Sequence, residues 1–231
     1  MKIKQAGASK AIRPYRPAPT FKNQLLVLKI GVTYSMNWDV QTFSAAALGI
    51  ALAACCGFRV FVPMLVAGLA GRFDLFHFSE SFLWLSSTPA LVALGIATVF
   101  EIAGYYIPFI DNILDTIATP LAAVAGTLLA TSVIPIENDW MKWIIGIIAG
   151  GGGAGLIASG TGLLRLLSSK TTLGMGNNVV ATGENAAAVG GSILSFLIPV
   201  IMAVLFVLFF IWIIKKMIRK IRGKPLVAGK P

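Results

Sequence analysis

Residues 143–167 read WIIGIIAGGGGAGLIASGTGLLRLL, and the way this glycine-rich run is taken decides the fold. It contains a formal G-x-G-x-x-G at Gly150, Gly152 and Gly155, after an apolar stretch. A dinucleotide site needs that motif inside a βαβ unit, with an acidic residue about 20 positions further on. The downstream residues are instead Leu163-Leu164-Arg165-Leu166-Leu167-Ser168-Ser169-Lys170. Helical periodicity explains more of the run. Gly146, Gly150, Ala154, Ala158 and Gly162 recur every fourth residue, and Gly151, Gly155 and Ser159 form a second ridge beside them. Such ridges of small residues let a neighbouring helix backbone approach closely in a membrane. The run is therefore expected to be a packed membrane helix. Ala118, Ala122, Gly126 and Ala130 repeat the device upstream.

Four more apolar blocks flank this one: residues 45–71, 89–108, 117–135 and a stretch ending near Ile214. Charged and turn-forming residues separate them, among them Arg72, Asp74, Glu80, Asp111, Asn112, Asp115, Glu137 and Asp139. The composition agrees, with 57% hydrophobic and 12% charged residues in a chain of 231. A soluble domain carries about 25% charged residues, so a water-soluble globule is excluded as the expectation. In lipid each span must satisfy its own backbone groups, and no alternating barrel pattern is present, so helices are the default. The last stretch, residues 179–214, is too long for one span. One helix from about Gly190 is expected, preceded by a broken or re-entrant segment over 177–189; a six-span count stays open.

The net charge of +10 divides unevenly. Residues 46–214 carry five basic and eight acidic groups, whereas residues 1–45 carry seven basic groups against Asp39, and residues 215–231 carry seven with no acid. No basic stripe interleaved with aromatics lies in the body, so nucleic acid is not an expected partner. The polybasic end places the C-terminus in the cytoplasm and suits anionic lipid. The basic N-terminal tail then lies on the wrong side of a five-span protein, which implies either an even span count or translation starting at Met36. On the five-span count Arg165 and Lys170 fall in an outside loop.

Ionisable residues inside a membrane segment mark sites. Arg59 lies mid-way along the first block and Glu101 lies in the second, and antiparallel packing would pair them. Such a pair either fixes helix register or relays protons or ions. Asp111 and Asp115 are one helical turn apart, with Asn112 and Thr116 beside them, between Pro108 and Pro120. On a short helix both carboxylates would share a face and could hold a hard cation, or they simply form a solvated interfacial turn. Asn177, Asn178, Thr182, Glu184 and Asn185 form a second polar cluster in a glycine-rich setting. A broken element there would line a cavity and serve a substrate site; an exposed loop is the alternative. Cys55 ends a lipobox-like Leu52-Ala53-Ala54-Cys55 but lacks the basic segment a lipoprotein signal needs, so it and Cys56 read as small apolar packers. His77 has no metal-ligating neighbour and is assigned to a loop. Trp84, Trp140, Trp143 and Trp212 fall near block ends, as an interfacial belt requires. Tyr106-Ile107-Pro108 and Leu197-Ile198-Pro199 hint at a weak inverted repeat.

The runs Cys56-Gly57-Phe58-Arg59-Val60-Phe61-Val62-Pro63, Ser87-Thr88-Pro89-Ala90, Glu101-Ile102-Ala103-Gly104-Tyr105-Tyr106-Ile107-Pro108, Asp111-Asn112 and Asp115-Thr116-Ile117-Ala118-Thr119-Pro120 resemble a bacterial multi-pass membrane family. It is the domain-of-unknown-function family numbered four thousand one hundred and twenty-six. The resemblance covers about residues 45–214 and implies a membrane location without an activity. It also agrees with a start at Met36. The expected architecture is an all-α integral membrane protein: a helical bundle of about five transmembrane spans over residues 45–214, between a basic tail (1–44) and a polybasic cytoplasmic tail (215–231). The expected function is a small inner-membrane transporter or channel for an ion or small polar solute. A non-transporting scaffold and a lipid-modifying enzyme are the alternatives. The candidate pathway residues are Arg59, Glu101, Asp111, Asn112, Asp115, Asn177, Asn178 and Glu184. No cofactor is expected, the metal is left unknown, and self-association is open.

Overall fold

The computed structural model describes residues 40–172 and 176–222. The N-terminal tail, with the question of a start at Met36, and the last nine residues lie outside the described residues. Among the described residues every element is helical and no strand occurs. In chain order the α-helices are α1 (Val40–Cys56), α2 (Phe61–Arg72), α3 (Thr88–Gly104), α4 (Pro108–Val133), α5 (Asp139–Ile145), α6 (Gly152–Thr172), α7 (Asn177–Leu197) and α8 (Pro199–Arg222). A 3₁₀ helix over Glu80–Ser86 precedes α3, and a π-helical turn over Gly146–Gly151 joins α5 to α6.

The first apolar block is two helices rather than the single span its hydropathy suggests. The chain unwinds at Gly57–Val60, on either side of Arg59. Gly49 on α1 abuts Ala130 and Val133 late in α4, whereas Cys56 and Gly57 share a cavity wall with Ala118 on the early part of α4. Beyond α2, the Ser79 N–H donates to the Ser132 carbonyl at the far end of α4, 3.0 Å away. So α1 runs antiparallel to α4, α2 returns beside it, and the pair forms a helical hairpin with Arg59 at its tip. Glycine permits the close approach at this turn: a Cβ on Gly57 would lie 2.7 Å from the Ala154 carbonyl oxygen.

Proline starts several helices at positions where its missing N–H costs nothing. Pro108 and Pro199 are the first residues of α4 and α8, and Pro89 follows the Ser87 cap of α3. The two Ile-Pro motifs that hinted at a repeat thus each end one helix and start the next. The break at Ile198 also corrects the expectation for residues 177–214. Asn177 to Leu197 is one continuous helix, not a broken segment, and α8 begins after a single residue. A tight turn is tolerated because Ile198 N–H bonds Leu194, Met202 N–H bonds the Ile198 carbonyl, and Pro199 has no donor to leave unpaired. Pro120 likewise does not bound a short helix around Asp111 and Asp115; α4 runs through it.

The glycine ridge packs as its spacing requires. Gly150 meets Gly126 and Ala130, Ala154 lies against Gly126 and Gly57, and Gly146 meets Thr127 and Thr131, so the π-helical turn and the start of α6 pack closely along α4. Ala158 is buried further along the same ridge, while Gly162 faces open space. Cys55 and Cys56 are free and buried, and they point into different apolar clusters.

Outside, α3, α6 and α8 expose Val92, Ile96, Val99, Leu163, Leu164, Leu205 and Leu208. Inside lie Arg59, Glu101, Asp111, Arg165 and Glu184. Apolar faces out and charges in is the distribution that hydrocarbon surroundings select. Among the described residues two helical stretches, Ile110–Val133 and Asp139–Lys170, are by length and composition apolar enough to cross a membrane. The 3₁₀ helix and α3, bent by 61°, make a third if taken as one broken span.

Candidate buried charge site

The topology brings the hairpin tip, the α3–α4 turn, the start of α4, the late part of α6 and the early part of α7 together. Arg59 occupies the break after α1. Its Nε donates to Asn185 Oδ1 at 2.5 Å, its Nη2 donates to the Ala181 carbonyl at 3.2 Å, and its Nη1 lies 3.1 Å from Glu184 Oε2. That last contact lacks hydrogen-bond alignment and is Coulombic. Its position just beyond the C-terminus of α1 also places a cation at the negative end of a helix.

Glu101 is not the partner of Arg59 that antiparallel packing suggested. Its Oε1 accepts from Val60 N–H at 2.6 Å and its Oε2 accepts from Phe61 N–H at 3.0 Å. A carboxylate from α3 therefore caps α2, satisfying donors that the unwound chain leaves without helical acceptors, at the positive helix end. The expected pairing fails for a local reason: the break in the first block exposes backbone N–H groups, and these claim Glu101 first.

Arg165 is the residue that sequence reasoning missed. A five-span topology puts it in an outside loop, yet it is only 2% exposed. Its Nε donates to Glu184 Oε1 at 3.2 Å, its Nη2 bonds Glu184 Oε2, and its Nη1 bonds Asp111 Oδ1. Asp115 Oδ1 is 3.6 Å from the same Nε. A signal was available. Arg165 is seven residues after Ala158 and three after Gly162, so it continues the buried ridge of small residues.

Tyr105 was also missed. Both arginines stack on its ring, with the Arg59 guanidinium carbon 3.8 Å and that of Arg165 4.1 Å from the ring centre. Cations over an aromatic face are attracted by its quadrupole, so Tyr105 helps hold two like charges at one site. It is four residues beyond Glu101, on the same helical face, which is the only trace of it in the sequence.

The remaining candidates divide. Asn177 Nδ2 donates to Asp111 Oδ2 at 3.2 Å and to Ser169 Oγ at 3.0 Å, so it belongs to the cluster. Asn112 and Asn178 are exposed, and their carbonyls accept from Thr116 and Thr182 one turn on. They stand apart from the charges. Tyr106, Thr182 and Asn185 form a polar strip that reaches Arg59: Tyr106 and Thr182 hydroxyls are 3.0 Å apart, and Asn185 Nδ2 donates to Tyr106 at 3.3 Å.

At the centre is a cavity of about 10 Å³, space for the centre of one water. Glu101, Tyr105, Asp115, Arg165 and Glu184 line it, with Ala158 and Gly162 on the ridge side. Among the described residues no three His, Cys, Asp or Glu side chains converge in a metal-holding arrangement.

These features define an all-helical protein with membrane-compatible apolar helices and a buried cluster of three carboxylates and two guanidiniums, with the partly exposed Asp115 at its edge. The chain belongs to the family described as Domain of unknown function (DUF4126), whose model matches residues 46–220. No curated protein and no solved structure matches it.

Proposed function

We propose that the protein is a multi-pass inner-membrane transporter or channel for a small cation, with the buried charge network as its pathway and no catalytic step. The observation that carries this reading is the composition of the network: four carboxylates surround two guanidiniums at a helix break. Interrupted helices whose ends face ionisable groups at depth are a recurring plan of membrane transport sites, and ionisable groups within membrane segments are rare and mark ion pathways. The apolar helices, with the hairpin and the bent pair, supply the walls of a bundle of about five crossings. The basic residues from Lys215 onward would sit in the cytoplasm against anionic lipid, and the open apolar groove lined by Ala123, Val124, Gly152 and Leu156 leaves room for self-association.

The test is flux from proteoliposomes loaded with a pH dye or with monovalent or divalent cation indicators. Cation flux above empty liposomes, reduced at least tenfold in Asp115→Asn of unchanged helicity, is the expected result. Flux equal to empty liposomes for every ion would overturn transport and leave the network as a scaffold that fixes helix register.

A further inference from the structure

The charges of the network can be matched group by group. Arg165 takes Asp111 and forks onto both oxygens of Glu184, and Arg59 shares Glu184 Oε2 with it. Two guanidiniums thus answer two carboxylates. Glu101 is answered by the N–H groups and positive end of α2. Asp115 remains. Its ion pair with Arg165 is 3.6 Å long, beyond hydrogen-bond range, and uses the Nε that already donates to Glu184. Its side chain is 26% exposed, against 6% for Asp111 and Glu184.

We infer that Asp115 is the proton-binding carboxylate of this site, and that the cation it handles is a proton rather than a metal ion; this rests on the translocation reading above. The step is the addition of one proton from the water at the mouth of the cavity to the Asp115 carboxylate, giving a neutral acid and lowering the excess negative charge of the network by one. Sharing the cavity with Asp115 are Arg165 from α6, Glu184 from α7, Tyr105 from the α3–α4 turn, Glu101 from α3 and Cys56 from α1; behind them stand Arg59 of the hairpin tip, on Glu184 and Tyr105, and Asp111, one turn earlier on α4, on Arg165. Two positive charges stand against three other carboxylates there, so neutralisation relieves repulsion. Hard metal cations such as Ca2+ and Mg2+ need about six oxygen ligands. The other three carboxylates are turned to arginine or backbone donors, and the cavity admits one water-sized species.

The experiment is pH-difference infrared spectroscopy of the full chain in lipid nanodiscs, reading the carboxylic acid C=O band that appears on acidification. One band absent from Asp115→Asn, retained in Asp74→Asn at the exposed loop, and insensitive to sodium or potassium at constant pH is expected. A band that survives Asp115→Asn assigns the proton elsewhere, and a band that either metal ion suppresses at constant pH replaces the proton with that ion; both overturn the inference. Should Asp115→Asn not fold, Asp115→Glu decides: the band must shift, and an unshifted band refutes the assignment. A band with no flux sinks transport but keeps the proton site, whereas flux without the band does the reverse.

Discussion

Arg165 and Glu184 meet in a two-point fork, with Nε and Nη2 of one side chain on Oε1 and Oε2 of the other, and both side chains are almost fully enclosed. Planar guanidinium matches carboxylate in this geometry, which a lysine ammonium cannot reproduce. The fork ties α6 to α7. Removing one partner strands the other charge, and breaking a buried pair costs about 3–5 kcal/mol. Glu184→Ala and Arg165→Lys are therefore expected to destabilise the fold, the first more because it also deprives Arg59. Denaturant unfolding in detergent, run as a double-mutant cycle, checks this: the two changes together must cost less than their sum.

Glu101 acts on α2 through two backbone N–H groups, so its loss should be felt locally. A lost helix cap costs about 1 kcal/mol in typical cases. Glu101→Ala is expected to destabilise by about that amount or somewhat more, since the freed donors are buried, while Glu101→Gln retains one acceptor and loses less. Hydrogen exchange at Val60 and Phe61 is the direct measurement. Their amides must exchange faster in Glu101→Ala, with those of α6 unchanged.

The same physics made some features legible in the sequence and hid others. The four-residue spacing of Gly146, Gly150, Ala154 and Ala158 was legible because helix packing needs only a local periodicity, and the structure seats that ridge against Gly126 and Ala130. Helical class, the apolar blocks and the role of Arg59 as a buried charge were legible for similar reasons. The break at Arg59 was not, because hydropathy averages over a turn of four residues and sees one apolar run. The pairings were hidden further. Which carboxylate Arg59 meets depends on α7 being helical from Asn177 onward, and the glycines and asparagines there suggested the opposite. Arg165 was hidden by its neighbours: Leu163, Leu164, Leu166 and Leu167 are all exposed, and their outward faces leave the one inward position to the charge.

The cation–π arrangement at Tyr105 separates ring from hydroxyl. Each contact is worth about 0.5–2 kcal/mol depending on desolvation. Tyr105→Phe keeps the ring on which Arg59 and Arg165 stack and is expected to leave stability nearly unchanged, whereas Tyr105→Leu removes both stacks and should lower it by about 1–3 kcal/mol. Thermal unfolding of the two variants in matched detergent distinguishes them, and equal losses in both would show that the hydroxyl, not the ring, matters.

Two glycines on facing ridges should respond oppositely to the same methyl group. A Cβ on Gly126 would lie 2.6 Å from Ala154 Cβ and 2.7 Å from the Gly150 carbonyl oxygen, so Gly126→Ala forces α4 and α6 apart. Overpacking of this kind costs about 1–3 kcal/mol. A Cβ on Gly162 meets nothing within 4 Å, and alanine there gains helix propensity of up to about 1 kcal/mol. Gly162→Ala is expected to be as stable as the native chain or more so. Thermal unfolding of the two variants in matched detergent checks this: Gly126→Ala must melt below the native chain and Gly162→Ala at or above it, and an equal loss in both would show that the face of α6 at Gly162 is packed rather than open.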